Sequence, residues 1–109
     1  MRVVEIEAEP LVERLMIAET LWAQIRGLLG RPPLRPGEGF LIRHCNSVHS
    51  FGMRYPFLAV HLDKDYVVLK TVLMQPSRFG RRVRGARSVL ELPLGPIPAT
   101  GYRMHLDAA

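Results

Sequence analysis

Phe57-Leu58-Ala59-Val60-His61-Leu62-Asp63-Lys64-Asp65-Tyr66-Val67-Val68-Leu69-Lys70-Thr71-Val72-Leu73 reads as two strands about a short polar connection. Residues 57–62 and 66–73 are apolar and rich in β-branched or aromatic types, which fit a pleated surface. Asp63-Lys64-Asp65 between them suits a tight reversal, because Asp side chains bond their own backbone in turns. This hairpin sets the fold class as mostly β.

Similar stretches lie to either side. Residues 40–43, 47–53, 87–92 and 102–106 read as further strands, as do 3–8 and 11–17 on either side of Pro10. One helix is predicted over about 21–29. Leu21, Ile25, Leu28 and Leu29 recur on one helical face, Thr20 caps the start, and Gly30 with Pro32-Pro33 ends it. The expected architecture is a mostly β (α+β) single domain over residues 1–109. It is a small barrel-like or strongly curled antiparallel or mixed sheet of six to eight short strands, with the helix over one opening.

Composition agrees with one globular unit. The 109 residues are 48% hydrophobic and 23% charged, with nine Gly and nine Pro to make turns. No apolar run approaches the ~18–20 residues of a membrane span. The N-terminal residues alternate apolar with acidic types, unlike a signal peptide, so a cytoplasmic setting is expected. The single cysteine, Cys45, cannot form an intrachain disulfide or a multi-thiolate metal site.

Charge is uneven along the chain. The net is +5, and Arg78, Arg81, Arg82, Arg84 and Arg87 follow one another without an intervening acid. Five guanidinium groups cannot be buried unpaired, so an exposed basic segment is expected. It is a candidate nucleic-acid patch, although Phe79 is the only aromatic residue beside it.

The densest chemistry is His44-Cys45-Asn46-Ser47-Val48-His49-Ser50-Phe51-Gly52-Met53-Arg54. A metal is not expected here. Along a strand Cys45 and His49 would stand roughly 13 Å apart, and neighbouring His44 and Cys45 would point to opposite faces. Cys45 reads either as a small buried hydrophobe or as a nucleophile paired with His49. On a regular strand Ser47, His49, Phe51 and Met53 share one face, which suits a core or a pocket wall. A pocket there would be bordered by His49 and Met53, with Phe51 and Cys45 nearby and Arg26 of the helix as its charged neighbour.

Six short motifs occur in order: Ala18-Glu19-Thr20, Arg26-Gly27-Leu28-Leu29-Gly30-Arg31, Gly39-Phe40-Leu41, His49-Ser50-Phe51-Gly52-Met53-Arg54-Tyr55-Pro56, Leu62-Asp63 and Ala86-Arg87-Ser88-Val89-Leu90-Glu91-Leu92-Pro93. Together they resemble the uncharacterised prokaryotic family known as domain of unknown function 192. The resemblance implies a compact, mostly β domain with one helix and assigns no activity. Leu58 stands where members commonly carry an acid, which weakens any catalytic expectation built on that acid. Tyr66 occupies a turn position where members often have Gly.

The function expected first is a small soluble, non-enzymatic binding module for a small molecule or protein segment, without a cofactor. The alternatives are an enzyme using His49 or Cys45, and a nucleic-acid-associated protein acting through the arginine segment.

Overall fold

The computed structural model describes residues 2–18, 20, 31–50 and 53–106. Six strands form one sheet: β1 (Arg2–Glu5), β2 (Val12–Ala18), β3 (Gly37–Arg43), β4 (Phe57–Leu62), β5 (Val68–Met74) and β6 (Ser88–Leu92). Their spatial order is β1-β2-β3-β6-β4-β5. β2 and β3 run parallel, and the other neighbours are antiparallel. The sheet is therefore mixed, as one form of the expectation had it.

The barrel form is corrected. β1 and β5 are the two edges and do not pair with each other, so the sheet is open. A parallel pair needs a crossover of a dozen or more residues, and residues 19–36 supply it between β2 and β3. The helix expected over about 21–29 falls in this crossover and lies outside the described residues.

The opening hairpin forms as read. β4 pairs with β5 from Phe57↔Met74 onward, with an irregularity after His61. The Asp63 carboxylate accepts bonds from the backbone N–H of Asp65 at 2.8 Å and of Val67 at 3.0 Å. Tyr66 then takes φ +63°, a left-handed conformation that favours glycine. Its ring is retained by packing against the buried aliphatic cluster.

Two expected strands do not form. The described part of residues 47–53 is irregular, with a single bridge between His49 and Phe79. His44 leaves β3 with φ +57°, and the chain then follows residues 77–83 through scattered bonds instead of a ladder. Residues 102–106 touch the sheet through one bridge, Val67↔Arg103. Two backbone bonds, from Val68 N–H to the Tyr102 carbonyl and from Met104 N–H to the Tyr66 carbonyl, also hold them there.

Strand alternation divides the core between the two sides of the sheet. One side is aliphatic and holds Leu15, Ile17, Leu41, Val60, Leu90 and Leu92, with Met104 and Leu106 laid over it. The other holds Phe40, Ile42, Met53, Phe57, Ala59, Met74 and Val89, with Cys45, Val48 and Tyr55 partly buried against them. Each fully buried aliphatic side chain is worth about 1.5–3 kcal/mol, so both sides contribute to stability. The second side is the one that carries chemistry.

Candidate functional site

β6 runs Ser88-Val89-Leu90-Glu91-Leu92 and is buried at every position. It lies between β3 and β4, which places Glu91 opposite Phe40 on one neighbour and Ala59 on the other. Val89, two residues earlier, belongs to the aromatic side, so alternation puts Glu91 there as well. The residue is 3% exposed. Among the described residues its carboxyl has neither an ion pair nor a hydrogen-bond donor. Burial pushes its pKa up to about 8, so it is largely a neutral acid at pH 7.

Two titratable neighbours sense this group. Tyr55 is raised first by burial and then by Glu91, with Arg31 opposing. Its hydroxyl donates to the carbonyls of Arg31 at 3.3 Å and Pro32 at 3.4 Å. Cys45 is raised first by burial and further by Glu91, while its bond to the Ser47 carbonyl, at 2.7 Å, acts in the other direction. The Arg31 guanidinium carbon lies 5.9 Å from the centroid of the Phe40 ring, within cation–π range. Arg31 Nε is buried without a partner.

His61 is a second buried polar group, 1% exposed on β4. Its Nδ1 meets the Lys70 carbonyl at 3.3 Å, and its Nε2 has no partner. Burial is the largest influence on the imidazole and holds its pKa below the ordinary value.

Beside this side of the sheet lies an apolar cleft of about 300 Å³. Pro33, Pro36, Pro56 and Pro93 make half its wall, and Leu34, Tyr55, Phe57 and Leu94 complete it. The Tyr55 hydroxyl is the one polar side-chain group among those eight. Tyr55 therefore belongs both to the cleft and to the surroundings of Glu91.

The residues singled out in the sequence are dispersed. His49 is exposed, Met53 is 8% exposed within the core, and Cys45 is half-buried. Neither His49 nor Met53 lines the apolar cleft. Phe51 and Arg26 lie outside the described residues. The five arginines are all exposed. Among the described residues no three His, Cys, Asp or Glu side chains group to hold a metal ion. No helix among them is long and apolar enough to cross a membrane.

Glu91 lies in the last of the six sequence motifs and is not among the candidate site residues that the sequence offers. Its signal was there: a carboxylate set among Val89, Leu90 and Leu92 in a strand.

The model of the family described as "Uncharacterized ACR", domain of unknown function 192, matches residues 2–104. No curated protein and no solved structure matches.

Proposed function

The chain belongs to the family of domain of unknown function 192, and we propose that within it this protein is a small-molecule binding module. The observation that carries the reading is the proline-walled cleft with a single hydroxyl at Tyr55. Ligand sites are concave, mostly apolar and supplied with a few placed polar groups. Four prolines stiffen the wall, so binding orders few side chains and little affinity is lost to entropy. At about 300 Å³ the cleft suits a small apolar molecule with one hydrogen-bond donor for the Tyr55 hydroxyl oxygen, whose own proton is directed to the Arg31 and Pro32 carbonyls. A cytoplasmic setting goes with this reading, because a lone thiol such as Cys45 stays reduced there.

The enzyme alternative with Cys45 as nucleophile is less well supported. An attacking thiolate needs a lowered pKa, and burial raises that of Cys45.

Indole is a suitable probe, followed by the NMR shifts of the cleft side chains. Shifts confined to Leu34, Tyr55, Phe57 and Leu94 are expected. Leu94→Glu, at a side chain already 54% exposed, should weaken binding at least about ten-fold without lowering the melting temperature. Shifts elsewhere, or unchanged binding to Leu94→Glu, would remove the reading.

A further inference from the structure

The arginine segment is held in place. Ser50 N–H donates to the Arg78 carbonyl at 2.8 Å, Gly80 N–H to Val48 at 2.7 Å and Val83 N–H to Asn46 at 3.1 Å. The buried Ser50 hydroxyl also accepts from Arg78 N–H at 2.8 Å. Gly80 has to be glycine at this approach, since a Cβ would stand 2.6 Å from the Val48 oxygen. The segment is thus a fixed strap along residues 46–50.

Between the strap and the edge strand β5 lies a cleft of about 530 Å³. Lys70, Arg78 and Arg81 are its cations, and no acid is in its wall among the described residues. Arg78, Arg81, Arg82, Arg84 and Arg87 are exposed, and none has an acidic partner among the described residues. Phe79 stands in the same cleft at 79% exposure, and Leu73 at 50%.

From this arrangement we infer that the cleft binds single-stranded nucleic acid. Lys70, Arg78 and Arg81 take backbone phosphates, and a base packs on Phe79. Cations alone would suit phosphates or carboxylates equally. The exposed ring decides between them, because every base offers a π-face and an acidic peptide does not. A duplex keeps its bases stacked on each other and leaves none for the ring. The inference is independent of the apolar cleft, which has other walls.

The test is fluorescence anisotropy with a labelled oligothymidylate of about 12 nucleotides, between about 50 and 200 mM salt. Three phosphate contacts predict a log–log salt slope of about −2. Phe79→Ala should weaken binding about ten-fold with that slope unchanged. The double variant Arg78→Ser/Arg81→Ser should make the slope shallower by about 1.4. Both variants change exposed side chains, and each should melt as the parent does. Unchanged binding to Phe79→Ala would overturn the inference, as would equal affinity for a duplex of the same length. Displacement of the strand by polyglutamate at matched charge would overturn it too and assign the surface to an acidic protein.

Discussion

Among the described residues each side of the sheet buries one glutamate, and the two meet opposite conditions. Glu9, 2% exposed, sits beside the aliphatic side, where Leu11 and Tyr102 pack. One of its oxygens accepts from the Tyr102 hydroxyl at 2.8 Å and from His105 N–H at 3.0 Å. The other accepts from Leu11 N–H at 3.2 Å. Glu91, 3% exposed on the aromatic side, has no such donors among the described residues, and its pKa rises to about 8. Burial is nearly equal in the two. The difference lies in the donors: Glu9 ties the N-terminal turn to the 102–106 segment, and Glu91 holds a proton in an apolar layer.

The sharpest way to break this comparison is Glu91→Gln. The folded carboxyl titrates at about 8 against a reference value of 4.5, so the unfolded chain ionises first. The stability it contributes is full below about 4.5 and is lost as pH rises through about 8. Glu91→Gln should remove that dependence and stabilise the protein by several kcal/mol at about pH 9, since each unit is worth about 1.4 kcal/mol. Urea unfolding at about pH 5 and pH 9 measures it, and parallel pH profiles for parent and variant would refute it.

Leu90 is the neighbour of Glu91 in the chain and faces the aliphatic side at 0% exposure. Leu90→Ala should cost about 2–5 kcal/mol at any pH, as a core cavity does. Equilibrium unfolding with a loss under about 0.5 kcal/mol would show that this side has no tight core.

For Glu9→Gln the sign should be opposite to that of Glu91→Gln. An amide cannot accept on both sides, and the loss at neutral pH should be about 1–3 kcal/mol. A stabilised Glu9→Gln would erase the distinction between the two carboxyls. Tyr102→Phe removes one of the three donors and should cost about 1–2 kcal/mol by the same measurement.

The smallest effect concerns Cys45, which shares the surroundings of Glu91. With its thiol raised by burial, iodoacetamide at about pH 8 should alkylate the folded protein more slowly than the urea-unfolded chain. Faster alkylation in the folded state would revive the nucleophile reading.

Much of the sheet was legible because its strands carry local signals. β4 has the bounds that its composition predicts, and the Asp63 turn forms as Asp chemistry predicts. Residues 47–53 misled because alternation around His49 looks the same whether or not a partner strand is in register. The candidate site was less legible. Leu90-Glu91-Leu92 is also the pattern of a strand with one wet face, where a glutamate is ordinary.

Sequence by itself determined the stretches that became the six strands, the hairpin and the exposure of the arginines, since each follows from side-chain chemistry within a few residues. Tertiary structure alone decided that β6 enters between β3 and β4 and is buried on both faces. Strand order depends on pairing between distant parts of the chain, and no local pattern encodes it. Covering the second face turned Glu91 from a residue for solvent into a buried acid, because the penalty of desolvation belongs to the surroundings and not to the residue.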